Sequence, residues 1–286
     1  MSAQVTTAFV QQYSANVQML SQQMGSRLRD TVRVENMTGK NAFFDQVGVA
    51  VAQKRTTRHG DTPQMDTPHA RRRVSLVDYE YADLIDDQDK VRLLIDPTSS
   101  YARAAAAAMG RAMDDEIIAA ATGTAFTGET GSTSTALPSD QQIANGGTDL
   151  TVAKLREAKK ILDLSDVDPS ITRYIAVGPE QIENLLSDTN VTSSDFNTVK
   201  ALVQGEVNQF MGFNFIMTNR LAKSGNIRSC FAWAEDGLAL AVGKDVNARI
   251  DERADKGYAT QVYYCMSIGA TRMEEDKIVQ IDCDES

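Results

Sequence analysis

The sequence predicts an α+β fold built around a projecting β-hairpin. Three features carry that expectation: a strand-patterned arm over residues 46–81, a capped alanine-rich helix over 97–122, and an α/β texture from residue 149 that ends in several strands. At 286 residues the chain suits one large domain or two modest ones. With 42% hydrophobic and 24% charged residues it has the composition of an ordinary globular protein rather than a disordered or fibrous one. No apolar run approaches the roughly 20 residues that a bilayer span needs. The N-terminus, Met1-Ser2-Ala3-Gln4-Val5-Thr6, has neither a basic start nor an apolar core, so no secretory signal is expected. The 3 cysteines, Cys230, Cys265 and Cys283, are odd in number and widely spaced, which fits reduced thiols.

The first element expected is an amphipathic helix over residues 7–29, with Phe9, Tyr13, Val17, Leu20, Met24 and Leu28 spaced by three or four. It precedes the arm, so it can dock on a neighbour; a first helix packed on its own domain fits the periodicity equally. The arm follows. Gln46 to Arg55 alternates with the period of a strand. Arg58-His59-Gly60-Asp61-Thr62-Pro63 supplies turn formers, and Arg71 to Tyr81 runs back as a second strand. A two-stranded hairpin is marginal in water by itself, so the arm is expected to lie on something, such as another copy of the chain.

Charge sharpens that expectation. The net charge is -10, yet residues 1–80 hold ten Lys and Arg against seven Asp and Glu. Within 46–76, Lys54, Arg55, Arg58, Arg71, Arg72 and Arg73 face only Asp61 and Asp66. The next stretch is acidic, from Asp78 through Glu80, Asp83, Asp86, Asp87 and Asp89 to Asp96. A basic projection beside an acidic body is suited to steering copies into register; a solvated charged hairpin fits the same charges.

Asp96 and Pro97 cap the clearest helix, which runs through Ala104 to Ala108 and ends at Gly123. Residues 97–122 would span about 39 Å. Ala106, Met109, Met113, Ile117 and Ala120 or Ala121 form its apolar stripe, and Arg111 with Asp115 an i,i+4 pair on another face. Residues 123–149, rich in Gly, Ser, Thr and Asn, read as a loop. Asp149 or Thr151 then starts a helix through Leu162. Arg173 to Val177 is a buried strand, Gln181 to Leu186 a short helix, and Phe210 to Met217 a further strand. Glu235-Asp236-Gly237 between two apolar runs is a hairpin signature. Strands over 247–253, 261–272 and 277–283 are expected to return to the long helix as a second sheet.

Motifs of catalysis are missing. The 2 histidines, His59 and His69, lie in the tip region of the arm, where a solvated loop pre-organises poorly. There is no Cys-x-x-Cys or His-x-x-x-His spacing for zinc, no phosphate loop, no G-x-G-x-x-G and no nucleophile elbow. No cofactor or metal is expected. Asp114-Asp115-Glu116 and Glu274-Glu275-Asp276 read as solvated charge. Arg71-Arg72-Arg73 could bind phosphates, but a strand sends alternate residues to opposite faces and the chain as a whole is acidic.

The order of these elements resembles the major capsid proteins of tailed bacteriophages with the Hong Kong 97-type capsid fold, podophage coats above all. Residues 177–186 (VGPEQIENLL) resemble the strand-to-helix step of the axial lobe. Residues 205–221, from Gly205-Glu206-Val207 through Phe210-Met211-Gly212-Phe213 to Thr218-Asn219-Arg220-Leu221, are similar to a phrase recurrent in such coats. The resemblance implies an N-terminal arm over 1–45, an extended loop over 46–81, a peripheral domain over 82–148 with 246–286, and an axial domain over 149–245. It also implies a structural protein rather than an enzyme, assembling with itself into pentamers and hexamers of an icosahedral head around double-stranded DNA. Implied further partners are a portal protein and scaffolding or decoration proteins. The place would be the virion, assembled in the host cytoplasm, with no membrane. Some relatives form a Lys–Asn cross-link. Lys54 is the only lysine in the hairpin and no motif assigns its partners, so none is expected here.

Lys54, Arg55, Arg58, Arg71, Arg72 and Arg73 are therefore the candidate inter-subunit contacts. Three other functions compete: an encapsulin-like nanocompartment shell enclosing an enzyme, a small-molecule enzyme using residues 149–245, and a nucleic-acid binder using the arm.

Overall fold

The computed structural model describes residues 22–58, 64–86, 98–187 and 209–285. The chain divides into two compact units. One comprises residues 1–26, 78–112 and 244–266; the other comprises 27–77, 113–243 and 267–286. Most of the helix expected over 7–29 lies outside the described residues. Residues 22–28 are not helical, and a 3-10 turn follows at Arg29–Thr31. Asp96 and Pro97, the expected caps, also lie outside them.

The larger unit holds a seven-stranded mixed sheet. Its strands are β7 (Gln142–Ile143), β8 (Arg173–Val177), β9 (Gln209–Phe210), β10 (Phe213–Met217), β11 (Lys223–Ser224), β12 (Ile227–Ala234) and β15 (Ile278–Asp284), in the order β7-β15-β12-β8-β10-β9 with β11 on β12. The strand expected over 210–217 is split. Met211 (φ 53°) and Gly212 (φ 88°) form a two-residue turn that pairs Phe210 with Phe213. Left-handed backbone at both central positions is what a tight hairpin of right-twisted strands demands. The last strand was expected to join a second sheet with its predecessors. Instead β15 lies between β7 and β12. Its alternate residues Ile281 and Cys283 are fully buried with Phe231 and Trp233. The Trp233 indole N–H donates to the Thr31 carbonyl at 2.9 Å and its ring stacks on Tyr174 with centroids 5.7 Å apart.

Two helices flank this sheet in sequence. Thr151 caps the first, α2 (Val152–Leu164), by accepting from the Lys154 amide at 3.3 Å; of the two starts expected, the structure uses this one. The second, α3 (Pro179–Ser187), follows β8 through Gly178. The alanine-rich helix α1 spans Thr98–Thr122. Met109, Met113, Ile117 and Ala121 are buried as expected, but the stripe passes through Ala105 and Ala107, and Ala106 is exposed. At Gly110 the chain at Gly25–Ser26 crosses so closely that an added Cβ would sit 2.4 Å from a backbone carbon. Only glycine leaves room for that crossing.

Four further strands form a second sheet in the order β1-β13-β14-β4: β1 (Arg33–Asn36), β13 (Leu238–Arg253), β14 (Ala259–Arg272) and β4 (Val77–Ile85). Glu235-Asp236-Gly237 is a 3-10 turn, not a hairpin tip, because β12 and β13 enter different sheets. A third sheet, β2-β3-β5-β6, joins β2 (Asn41–Val47) and β3 (His69–Ser75) to β5 (Ala125–Thr127) and β6 (Thr133–Thr135). Thus part of the Gly/Ser/Thr-rich segment 123–149 is a small hairpin, not a loose loop.

Candidate inter-subunit surface

The arm differs from its sequence pattern in three ways. Its paired part starts earlier, at Asn41, in register from Asn41 opposite Ser75 to Val47 opposite His69. The returning leg breaks at Leu76 into β3 and β4, which belong to different sheets. And the base has support from its own chain, since Arg72 and Arg73 pair with Thr127 and Phe126.

Alternation along β3 gives the three arginines different surroundings. Arg71 reaches Asp45 across the strand pair, with Nε donating to Oδ1 at 2.6 Å, and lies 5.4 Å over the Phe43 ring. The hydrogen bond to Asp45 and its charge raise the guanidinium pKa. Arg73 lies 4.7 Å over the Phe126 ring. Arg72 turns inward and is buried; its Nε donates to the Met273 carbonyl at 2.9 Å and its Nη2 to Glu275. The Gln46 amide donates to the same carbonyl.

Beyond this base the arm changes character. The Gly48 amide donates to the Pro68 carbonyl at 2.8 Å, and residues 49–56 then carry no regular structure. The leg keeps the sequence period of a strand without a strand partner among the described residues. Val47 at the end of the paired base, and Val49 and Val51 on the leg, are out in solvent, 67%, 88% and 66% exposed. Lys54, Arg55 and Arg58 are exposed on the same leg. His59 lies outside the described residues. His69 is not in a turn but opens β3, exposed.

Several buried polar residues that hold this surface on its scaffold were invisible in the sequence. Arg272, fully buried, donates to the carbonyls of Ala121, Gly123 and Thr135 at 3.2, 2.7 and 3.0 Å, closing the C-terminal end of α1. Burial lowers its pKa against the opposing pull of Glu275. Glu275 sits between Arg72 and Arg272, so this carboxylate is a bridge and not solvated charge. Asp114 is likewise no surface residue: it is fully buried and accepts from the amides of Arg27 and Leu28, each at 3.1 Å. The expected Arg111–Asp115 pair is replaced. Asp115 takes Arg220, and Arg111 donates to the Gln22 side chain at 2.9 Å.

Glu285, just past the end of β15, ties the ends of β15, β12 and β11 together. Its buried carboxylate receives Arg228 and Lys223, and the Gln181 amide donates to it at 3.0 Å. Burial pushes its pKa up, but the hydrogen bonds from Arg228, Lys223 and Gln181 outweigh that and hold it at about 2. A carboxyl whose pKa falls on folding adds stability above its ordinary value of 4.5 and loses it as pH drops from there toward 2. Urea midpoints should therefore fall as the pH is lowered from about 4.5 toward 2, and Glu285→Gln should flatten part of that slope. An unchanged slope in the variant would refute this assignment.

Among the described residues no three His, Cys, Asp or Glu side chains are placed to hold a metal ion, and no helix is long and apolar enough to cross a membrane. The fold is similar to that in a capsid structure of the cyanophage P-SCSP1u, with a TM-score of 0.78 at 19% identity over 99% of this chain and 95% of that one. It is also similar to the capsid of cyanophage Pam1 (TM-score 0.71, 14% identity, 98% and 97% covered). A chain from Mycobacterium phage Che8 matches at a TM-score of 0.70 and 16% identity (96% and 97% covered). This is the Hong Kong 97-type fold that the order of elements resembles. No protein of curated function matches the sequence. A family model described as phage capsid protein matches residues 5–285, nearly the whole length, and the chain belongs to that family.

Proposed function

We propose that copies of this capsid protein assemble into the pentamers and hexamers of an icosahedral phage head around double-stranded DNA, as its major structural component and without catalysis. The observation that carries this is the distal leg of the arm. It places Val49, Val51, Lys54, Arg55 and Arg58 in solvent with no strand partner among the described residues of its own chain. Leaving that much apolar surface open is unfavourable unless another molecule covers it.

In this assembly residues 1–45 act as an N-terminal arm, 46–81 as the extended loop, 82–148 with 246–286 as a peripheral domain and 149–245 as an axial domain. Lys54, Arg55 and Arg58 form the charged contact, with Arg71 and Arg73 beside them on the base. Arg72 serves within the subunit. A portal protein, scaffolding or decoration proteins and the packaged DNA are the further partners, and assembly takes place in the host cytoplasm.

An exposed ion pair contributes about 0–1 kcal/mol, but closed symmetry repeats it around every ring. Lys54→Glu, Arg55→Glu and Arg58→Glu together should abolish particles in electron microscopy while circular dichroism and the melting temperature stay unchanged. Undiminished particle yield would overturn the contact role of these three residues, and a parent chain that forms no particles would overturn the assembly itself.

A further inference from the structure

The three cysteines differ in what oxidation can do to them. Cys230 and Cys283, on β12 and β15 of the seven-stranded sheet, are fully buried. Cys265, on β14 of the sheet β1-β13-β14-β4, is 9% exposed, and its sulfur has a reactive neighbour. The ammonium of Lys244, on the adjacent strand β13, donates to Cys265 Sγ at 3.1 Å. Lys244 itself is exposed. At that separation the nitrogen is within attacking reach of the sulfur as soon as the sulfur becomes electrophilic.

The surroundings narrow the chemistry. Tyr263 lies two residues from Cys265 on the same face of β14, and its hydroxyl donates to Glu80 of β4 at 3.0 Å. That bond to Glu80, burial and a hydrogen bond with Cys265 push the phenol pKa up to about 12. Tyr263 thus stays protonated near neutral pH and does not attack the sulfur. A sulfenic acid at Cys265 also meets no second thiol, because the other two cysteines are shut inside a different sheet. Among the described residues, Lys244 is the amine in contact with it.

We propose that Lys244 and Cys265 form a redox cross-link site, at which a peroxide joins β13 to β14 through a bond between Nζ and Sγ. The peroxide oxidises the thiol to a sulfenic acid and releases water. Lys244 Nζ, having given one proton to solvent, then attacks the sulfur. The S–N bond forms, the S–O bond breaks, and the hydroxyl leaves with a second nitrogen proton as water. Hydrogen peroxide is reduced to two waters and the sulfur is oxidised by two electrons. Two equivalents of a small thiol reverse the step: the first takes the sulfur and frees the amine, and the second restores Cys265 as the reagent becomes a disulfide. The link closes residues 244–265 into a covalent loop and is independent of how copies assemble. Oxidants of this class act on a virion outside the reducing interior of a cell.

Hydrogen peroxide added to the purified, fully reduced chain tests the site. Digestion without reductant should give the Lys244 and Cys265 peptides joined, about 2 Da lighter than their sum, as the main fate of Cys265. Dithiothreitol should separate them again. Lys244→Arg keeps the charge but not the nucleophilic amine, so the joined pair should vanish and Cys265 should proceed to sulfinic acid. A parent chain in which Cys265 ends as thiol or sulfinic acid with Lys244 unlinked would overturn the proposal, whether or not the variant folds. An equal mass loss at Cys265 in Lys244→Arg would also overturn it, by placing the bond on a backbone nitrogen.

Discussion

Replacing Arg272 with methionine should destabilise the subunit by about 3–5 kcal/mol, the largest single effect expected away from the glycines. The side chain is fully buried and donates to three carbonyls, those of Ala121, Gly123 and Thr135. Methionine fills most of the volume but donates nothing, so three carbonyls lose their partner. The C-terminal turn of α1 also loses the cation that complements its dipole, and Glu275 loses one of its two arginines. Urea unfolding followed by circular dichroism measures the loss. Hydrogen exchange should place it at the end of α1 and in the β5–β6 hairpin. Arg272→Lys keeps the charge but not the planar fork, so it should fall between the two. A methionine variant within about 1 kcal/mol of the parent would refute the role.

Lys154→Met should cost about 3 kcal/mol. This lysine, on the first turn of α2, is 6% exposed. A cation there opposes the helix dipole, so something local must hold it. Its ammonium donates to the carbonyls of Asn145, Thr148 and Asp282 at 2.8, 2.7 and 2.8 Å, satisfying all three of its donors. The contact ties the Asn145–Thr148 turn and β15 to α2. The variant should melt earlier, with faster exchange at residues 145–148 and along β15. Stability equal to the parent's would mean that water replaces the ammonium at no cost, against the burial seen here.

Long elements with a strong period could be read from the sequence because their determinants are local. The stripe Met109-Met113-Ile117 and the apolar run Arg173–Val177 need no knowledge of partners to be a helix and a strand. The buried polar anchors could not be read so. Arg272 meets a carbonyl 151 positions away and Arg72 a carboxylate 203 positions away, and nothing near Glu275 or Asp114 distinguishes them from surface acids. The arm shows the limit of pattern itself. Alternation from Val47 to Val51 announces strand-forming side chains, but a strand needs a partner, and past Val47 the chain gives this leg none among the described residues. Glu235-Asp236-Gly237 fails for a related reason: a turn that returns a strand to its neighbour and one that passes it to another sheet use the same residues. In the candidate surface, Lys54, Arg55 and Arg58 were legible as charge on a projection. Arg72 was not separable from its two neighbours until pairing fixed which face turned inward.

The placement of β15 sets an order of events during translation. Until the ribosome has released residues 278–284, β12 lacks one flanking strand, Lys154 lacks the Asp282 carbonyl and Arg228 lacks Glu285. Truncated products that stop short of this strand would keep an unfinished lobe. Such fragments should be open to proteases, so completion of this lobe waits on a strand made more than a hundred residues after its first helix.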